Sequence, residues 1–281
     1  MEFTSPAARE RYAAFVAAAD RAVVGLDMDG TLSPIVEDPA LAHIHPDAPE
    51  ALTGLAAHIL ALAIITGRPA RQALALGGLD EVGDAVGELG KQLFVLGQYG
   101  NERWSSSARR IVSPRPPHGL ASFVADLTGV LRRADASGAF VEEKGLAVAV
   151  HTRRLPDPAA TLARITDPVA DLAKRHGLIV EPGRNVVEVR AAGVDKGTAI
   201  RSLTDELGAG AFCFAGDDLG DVEAFAAVEE LRDGGMPTLL VCSASSEQSV
   251  LRERADLVVP GPEGVVELLR MLATDISTAR D

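Results

Sequence analysis

The stretch that decides the fold, residues 22–34, reads AVVGLDMDGTLSP. Its first five residues, Ala22–Leu26, form a short uninterrupted apolar run, which predicts a strand buried on both faces. The run ends directly at Asp27, and Asp29 follows two residues later. Gly30 permits an unusual turn after this pair. Two carboxylates that leave a sheet edge together can converge on one point, so the stretch predicts a site at the end of this strand.

The same alternation of apolar strands and helices recurs on both sides of a central segment. Further strands are predicted over Ala61–Ile65, Leu93–Leu96, Ala211–Ala215, Thr238–Cys242 and Leu257–Val259, and helices include Pro49–His58, one opened by Pro69, and Lys196–Leu207. Continuous apolar strands between helices are typical of a parallel sheet covered on both faces. The predicted fold class is therefore α/β, with a Rossmann-like parallel-sheet core.

The central segment has a different pattern. It predicts helices over Gly119–Ala134 and Ala159–His176, and strands over Phe140–Glu143, Ala147–His151, Ile179–Glu181 and Val186–Arg190. Polar and apolar residues alternate in these strands, as expected for a sheet with one solvated face. We predict an inserted α+β cap domain over residues 107–192, with residues 1–106 and 193–281 forming the two parts of the core.

The composition excludes several classes of protein. Of 281 residues, 47% are hydrophobic and only 4% aromatic, so an ordinary globular core must rest on aliphatic side chains. The formal net charge of −13 would repel nucleic acid and anionic membranes. The longest apolar run, Ile59–Ile65, is too short to cross a bilayer, and the N-terminus lacks the order of a signal peptide. We expect a cytoplasmic protein with no nucleic-acid or membrane partner.

Two cysteines and two histidines are interpreted as structural. Cys213 and Cys242 lie in apolar runs, which favours buried free thiols in a reducing compartment over a disulfide framework. His43 and His45, with Asp47, could indicate a metal site, but a polar loop explains them better.

Three further elements carry groups suited to a phosphate and a metal ion. Residues 66–68 (Thr-Gly-Arg) follow the second predicted strand and offer a hydroxyl and backbone amides. Residues 195–197 (Asp-Lys-Gly) open a helix and offer an ammonium group. Residues 216–218 (Gly-Asp-Asp) follow a later strand and offer oxygen ligands of the kind Mg²⁺ prefers. Because ligands bind beyond the carboxyl ends of parallel strands, we expect these elements to lie together.

These four elements, in this order, resemble those of the haloacid dehalogenase-like phosphatase superfamily. A closer similarity is to trehalose-6-phosphate phosphatases, in residues 27–35, 66–69, 141–145 with 151–153, and 187–190 with 193–197. That family commonly has a histidine where this chain has Tyr99, and a threonine where it has Gly220. The three aspartates around Gly220 are kept, so these two differences bear on surrounding hydrogen bonds and sugar selectivity.

The resemblance implies a Mg²⁺-dependent phosphatase that releases trehalose and phosphate through an aspartyl-phosphate. The implied catalytic residues are Asp27, Asp29, Thr66 and Lys196. Asp27 would attack phosphorus. Asp29 would protonate the leaving oxygen and then deprotonate the attacking water. Thr66 and Lys196 would hold the phosphoryl oxygens in the transition state.

The resemblance also implies metal and substrate ligands. The metal ligands would be Asp27, the Asp29 carbonyl and Asp217, with Asp218 and Asp221 orienting bound waters or the lysine. The implied substrate-binding residues are Gly67, Arg68, Glu142, Lys144 and Glu188. The last three would bind sugar hydroxyls, and the competing interpretation is that they form simple cross-strand charge pairs. For His151 and Arg153 the sequence leaves two interpretations: they bind the substrate, or they only lie on a solvated face of the sheet. Closure of the cap would exclude water.

Other functions share part of this pattern. One is a phosphatase of a different sugar phosphate, of the sucrose-phosphate or glycosyl-phosphoglycerate type. Another is a mutase that returns the phosphoryl group to a sugar. A third is a non-catalytic sugar-phosphate sensor, although such a protein would be expected to lose one of Asp27, Asp29, Lys196 or Asp217. Functional coupling to a trehalose-phosphate synthase is also implied.

Overall fold

The computed structural model describes residues 2–36, 38–183, 185–244 and 250–280. In chain order its strands are β1 (Glu2–Phe3), β2 (Ala22–Leu26), β3 (Ala61–Ile65), β4 (Gln92–Gly97), β5 (Glu102–Ser105), β6 (Phe140–Glu143), β7 (Ala147–His151), β8 (Ile179–Gly183), β9 (Val186–Arg190), β10 (Ala211–Gly216), β11 (Thr238–Ser243) and β12 (Leu257–Val259). Its α-helices are α1 (Pro6–Ala17), α2 (Ala48–Ala56), α3 (Ala70–Gly77), α4 (Leu79–Glu88), α5 (Leu120–Arg133), α6 (Pro158–Arg175), α7 (Lys196–Leu207), α8 (Val222–Asp233), α9 (Val250–Arg254) and α10 (Gly261–Thr278).

The chain divides into two units. The core unit consists of Met1–Ser113 and Asp195–Asp281, and the cap unit of Pro114–Val194. Each unit has its own sheet and its own buried apolar cluster.

The sheet of the core unit runs in the order β1-β12-β11-β10-β2-β3-β4-β5. The six strands from β12 to β4 are parallel to one another. In this register Leu26 of β2 pairs with Ala215 of β10 and with Ile64 of β3, so the carboxyl ends of the three strands are level. The predicted α/β fold with a Rossmann-like core is confirmed.

Both faces of this sheet are covered, because every residue of β2 is apolar and buried. Val24 and Leu26 pack on one face into the cluster that includes residues of α1, α2 and α10. Val23 points to the opposite face and joins residues of α7 and α8. Burying a single side chain of this size stabilises the fold by about 1.5–3 kcal/mol. Because β2 is packed in this way on both faces, its carboxyl end has a fixed position in the sheet.

The two edge strands of the core sheet were not predicted. β1 pairs with β12, and β5 pairs with β4, and both pairs are antiparallel. The sheet is therefore mixed at its edges rather than purely parallel. The helix expected to open at Pro69 begins at Ala70, because Pro69 is its N-cap residue, and the chain breaks into α3 and α4 at Gly78, which has a left-handed φ of 55°.

The cap unit contains an antiparallel sheet in the order β6-β7-β9-β8. Val148 and Val150 of β7 and Val187 and Val189 of β9 point to one face, where they pack with residues of α5 and α6. The opposite face, called the polar face below, carries the alternate residues of the strands, including Glu142, His151 and Glu188. This arrangement confirms the predicted α+β cap with alternating strands.

Among the described residues, no helix is both long enough and apolar enough to span a membrane.

Candidate active site

The loop after β2 is held in one conformation by main-chain hydrogen bonds. The Asp27 N–H donates to the Ala215 carbonyl at 2.9 Å, which continues the pairing of β2 with β10. Gly30 turns the chain with a φ of 78°, and its carbonyl accepts a hydrogen bond from the Ser243 hydroxyl at 2.7 Å. The Asp27 side chain, which is buried, therefore has a fixed position at the carboxyl edge of the sheet.

Gly30 is also required by its neighbour Asp217. A Cβ atom at position 30 would lie 2.1 Å from Oδ2 of Asp217, far inside van der Waals contact. The turn after β2 and the loop after β10 thus approach so closely that only glycine fits between them.

The Lys196 ammonium group links two of the buried carboxylates. Its Nζ donates to Asp27 Oδ1 and to Asp221 Oδ1, both at 2.6 Å. Lys196 is the first residue of α7, whose N-terminus is capped by the Asp195 side chain, which accepts from the Thr198 N–H at 2.7 Å. A cation at a helix N-terminus is opposed by the helix dipole, so the two carboxylates explain why a lysine is found there.

The loop after β10 is shaped by a short 3-10 turn at Leu219–Asp221. Asp221 Oδ2 accepts from the main-chain N–H groups of Asp217 at 3.0 Å and Asp218 at 3.3 Å. Asp218 in turn accepts from the Gly220 N–H at 2.9 Å. Asp221 therefore fixes the loop and Lys196 at once, while Asp218 is exposed.

Asp217 carries the observation most relevant to a metal ion. Both of its carboxylate oxygens are buried, and neither has a hydrogen-bond partner among the described residues. Ligand oxygens of Asp27, Asp217 and Asp221 all lie within 4.8 Å of one another. Unpaired buried carboxylate oxygens are costly, and clustered hard oxygen donors are what Mg²⁺ binds. The donor set therefore fits a divalent cation of that kind.

The electrostatics of the cluster point the same way. Burial, assisted by Asp27 and other nearby carboxylates, raises the pKa of Asp217 to about 9. Burial also raises the pKa of Asp27 well above its ordinary value, although Lys196 opposes the shift. Burial alone would lower the pKa of Lys196, but Asp221 and Asp27 raise it by more. Three carboxyl groups thus lie close to one ammonium group, which disfavours the ionisation of all three together.

The loop after β3 carries Thr66, whose side chain is buried. Its hydroxyl accepts from the Arg68 N–H at 3.1 Å. A neighbouring turn fixes this loop: the Gln98 N–H donates to the Arg68 carbonyl at 2.8 Å, and the Tyr99 N–H donates to the Thr66 carbonyl at 3.0 Å. Gln98 and Tyr99 adopt left-handed φ angles of 47° and 61°, which is unusual for residues with a Cβ.

The Arg68 and Asp29 side chains form a bidentate ion pair. Arg68 Nε donates to Asp29 Oδ2, and Nη2 donates to Asp29 Oδ1, each at 2.6 Å. Arg68 Nη1 donates to the Pro39 carbonyl at 2.8 Å. The Asp29 side chain is thus directed to Arg68, whereas the predicted metal ligand of this residue is its main-chain carbonyl. The third carboxylate beside Asp27 and Asp217 is that of Asp221. No pattern in the sequence predicted the ion pair between Arg68 and Asp29.

The predicted sugar-binding residues lie in the cap unit. Lys144 Nζ donates to Glu188 Oε2 at 2.5 Å, and Glu188 Oε1 is buried with no hydrogen-bond partner among the described residues. Glu142 Oε2 is 2.9 Å from His151 Nε2. Arg153 is exposed after β7. Charge pairs are therefore present on the polar face, but they leave one buried carboxylate oxygen unpaired.

Hydrogen bonds and burial account for the histidines and cysteines that were interpreted as structural. His43 Nδ1 lies 3.2 Å from the Leu76 carbonyl, and His45 Nδ1 accepts from the Asp47 N–H at 3.2 Å. Cys213 and Cys242 are free and buried, and burial raises the pKa of the Cys242 thiol to about 11.

The fold has counterparts among solved structures. A haloacid dehalogenase-like hydrolase from Bacteroides thetaiotaomicron has a similar structure, with a TM-score of 0.63 at 15% identity over 89% of this chain and 98% of that one. The trehalose-phosphatase family model matches residues 25–260, and the chain belongs to that family. The C-terminal domain of Candida albicans trehalose-6-phosphate phosphatase shares the fold, with a TM-score of 0.75 at 21% identity over 97% and 98% of the two chains.

Sequence relatives are similar over part of their length. A probable trehalose-phosphate phosphatase of Oryza sativa subsp. japonica is 33% identical over 78% of this chain and 60% of its own. The trehalose-phosphate phosphatase of Mycobacterium tuberculosis is 32% identical over 72% of this chain and 50% of its own. An uncharacterised glycosyl hydrolase of the same organism is 33% identical over 92% of this chain but only 19% of its own. The chain thus spans about half the length of the two phosphatases and a fifth of the hydrolase.

Proposed function

We propose that this chain is a Mg²⁺-dependent phosphatase that hydrolyses trehalose 6-phosphate to trehalose and phosphate. One observation carries the proposal in this member of the trehalose-phosphatase family. The buried carboxylate of Asp27 is held by Lys196, next to Asp217 oxygens that have no protein partner among the described residues. A nucleophile, a fixed cation and unpaired hard ligands in one place are the parts that phosphoryl transfer needs.

Asp27 is the proposed nucleophile. Because Lys196 binds Oδ1, the other oxygen, Oδ2, is the atom that attacks phosphorus. The bond from phosphorus to the sugar oxygen breaks as the new bond forms, and the product is an aspartyl-phosphate. Water then attacks phosphorus, which releases phosphate and restores the carboxylate of Asp27.

Asp29, Thr66 and Lys196 assist both steps. Asp29 gives a proton to the leaving sugar oxygen and later takes one from the attacking water. The Thr66 hydroxyl and the Lys196 ammonium hold phosphoryl oxygens as charge builds up on them. The peptide group of Gly67 supports the same binding, since it lies between Thr66 and Arg68 in a loop fixed by two main-chain hydrogen bonds.

The metal ion would be held by Asp27, Asp217 and the Asp29 carbonyl. Asp218 and Asp221 would orient its bound waters or Lys196. The ion would neutralise the charge between the nucleophile and the phosphate. Asp221 and Lys196 hold the Asp217 loop through the hydrogen bonds described above.

The polar face of the cap unit supplies the proposed sugar-binding groups Glu142, Lys144 and Glu188. The unpaired Oε1 of Glu188 supports this role, because a buried carboxylate oxygen readily accepts hydrogen bonds from sugar hydroxyls. A cytoplasmic location and functional coupling to a trehalose-phosphate synthase stay predictions from the sequence.

The experiment is to measure phosphate release from trehalose 6-phosphate, sucrose 6-phosphate, glucosyl-phosphoglycerate and glucose 6-phosphate, with Mg²⁺ and with a chelator. We expect trehalose 6-phosphate to be preferred, no release with the chelator, and loss of activity in Asp27→Asn. Equal turnover of unrelated sugar phosphates would overturn the substrate, and an active Asp27→Asn variant would overturn the nucleophile. Product that retains phosphate on another sugar position would indicate a mutase.

A further inference from the structure

Arg68 binds the proposed catalytic carboxylate of Asp29 through both of its oxygens. Its Nε and Nη2 groups each lie 2.6 Å from one oxygen of Asp29. The Arg68 side chain is only 10% exposed, whereas that of Asp29 is 39% exposed. A planar guanidinium group that binds a carboxylate in this way fixes both its position and its plane.

The arginine is itself fixed from several directions. Its Nη1 donates to the Pro39 carbonyl at 2.8 Å, and its own carbonyl accepts from the Gln98 N–H at 2.8 Å. The Tyr99 ring lies beside the same loop, within 3.0 Å of where a Cβ atom at Gly67 would be. The left-handed backbone of Gln98 and Tyr99 costs free energy, and such backbone persists where surrounding contacts demand it.

We propose that Arg68 is a positioning residue that holds Asp29 in place for proton transfer, and that its guanidinium group does not bind the substrate phosphate. This inference rests on the proposed function. Three of the five N–H groups of the guanidinium have a protein acceptor, two on Asp29 and one on Pro39, and these three hold it in the plane of the Asp29 carboxylate.

The ion pair with Arg68 leaves the Asp29 carboxyl group able to transfer protons. A carboxylate offers about four lone-pair sites, and the two hydrogen bonds from Arg68 occupy one on each oxygen. One of the remaining sites can carry the proton that is given to the leaving oxygen and can later accept one from water, and the Asp29 side chain is 39% exposed. The arginine thus fixes the direction of proton transfer without blocking it.

This role has a specific consequence for the leaving group. A sugar alkoxide is a poor leaving group and needs a proton, whereas p-nitrophenolate leaves without one. A defect in the position of Asp29 should therefore slow the hydrolysis of sugar phosphates much more than that of p-nitrophenyl phosphate. A defect in phosphate binding should affect both substrates alike.

The test compares Arg68→Lys with wild type on trehalose 6-phosphate and p-nitrophenyl phosphate, with Mg²⁺. Lysine keeps the charge but not the two-pronged geometry. We expect kcat for trehalose 6-phosphate to fall about 10- to 100-fold, with KM unchanged and with p-nitrophenyl phosphate turnover within about threefold. Asp29→Asn should show the same selectivity, and the double variant should be no slower than Asp29→Asn. Arg71→Lys, at an exposed position of α3, is the matched control.

Other outcomes would overturn the proposal. A KM increase for both substrates would assign Arg68 to phosphate binding, and an equal kcat loss with a lower melting temperature would assign it to structure alone. If wild type hydrolyses p-nitrophenyl phosphate but another sugar phosphate in place of trehalose 6-phosphate, the proposed substrate fails, and the same comparison on that sugar phosphate decides the role of Arg68. Wild type that hydrolyses neither class overturns both proposals.

Discussion

Lys196 and Asp27, which are 169 residues apart in sequence, are joined by a hydrogen bond of 2.6 Å in a part of the core unit where both are buried. The same ammonium group binds Asp221 at 2.6 Å. One cation is thus shared by two buried carboxylates beside the unpaired oxygens of Asp217. Replacing Lys196 is the most direct test of how these side chains are held together.

Lys196→Met should destabilise the protein and abolish phosphatase activity. Breaking a buried ion pair by removing one partner costs about 3–5 kcal/mol, because the remaining charges stay buried. Urea unfolding followed by circular dichroism measures this change, and Mg²⁺ should recover part of the loss. Lys174→Met, at an exposed position of α6, is the control. Equal unfolding midpoints for the two variants would contradict the role of Lys196 in the cluster.

Gly30→Ala should impair the site through Asp217. The new Cβ would lie 2.1 Å from Asp217 Oδ2, so this carboxylate must move away. We expect the activity to fall roughly 100-fold, as for other misplaced catalytic groups, and the stabilisation by Mg²⁺ to disappear in a thermal shift assay. In Gly54→Ala the new Cβ meets nothing within 4 Å, and the helix should gain about 0.5–1 kcal/mol. A normal Mg²⁺ response in Gly30→Ala would refute this explanation.

The stability of the metal-free protein should fall as pH rises. Burial raises the pKa of Asp217 to about 9, above the value of about 3.9 for an unfolded chain. The contribution of this group to stability is therefore fully present below about pH 4 and is lost as pH rises through 9. Mg²⁺ should oppose the loss, because the ion favours the ionised carboxylate.

Calorimetry between pH 5 and pH 9, with chelator and with Mg²⁺, measures this dependence (roughly the window between the two pKa values). Asp217→Asn should flatten the pH profile and abolish the gain from Mg²⁺, whereas Asp233→Asn, at an exposed position of α8, should leave both unchanged. Identical profiles for wild type and Asp217→Asn would show that Asp217 is not the group responsible.

Glu188→Gln should weaken sugar binding without affecting phosphoryl transfer itself. A hydrogen bond to a charged group contributes about 1.5–3 kcal/mol, so KM for trehalose 6-phosphate should rise about 10- to 100-fold. KM for p-nitrophenyl phosphate, which has no sugar, should stay the same. Glu143→Gln, an exposed residue of β6, is the matched control. A parallel change for both substrates would argue against a hydroxyl-binding role.

Gly67 and Tyr99 should be energetically coupled. A Cβ at position 67 would lie 3.0 Å from both Cζ and Oη of the Tyr99 side chain. Gly67→Ala should therefore lower the free energy of unfolding, and Tyr99→Ala should relieve part of that cost in the double variant. Coupling of about 0.5–3 kcal/mol is typical of residues in contact. Strictly additive effects in a double-mutant cycle would show that the ring does not press on this loop.

Much of the fold could be predicted from local patterns. The runs Ala61–Ile65, Val186–Arg190 and Leu257–Val259 form strands over those same residues, because uninterrupted or strictly alternating apolar residues leave few other ways to be buried. The missed helix α1 has apolar and charged residues mixed around it, with no single apolar stripe to reveal it. The missed strands β1 and β5 are short edge strands whose pairing depends on distant partners.

The sequence by itself determined which residues end the strands, and therefore that Asp27, Thr66 and Asp217 lie at one edge of a sheet. Strand periodicity is local, so neighbouring residues suffice to establish it. Only the tertiary structure decided which charged groups meet there. Lys196 is shared between Asp27 and Asp221, and Arg68 forms an ion pair with Asp29. Ion pairs between segments depend on distances that the fold sets, and no local pattern records them.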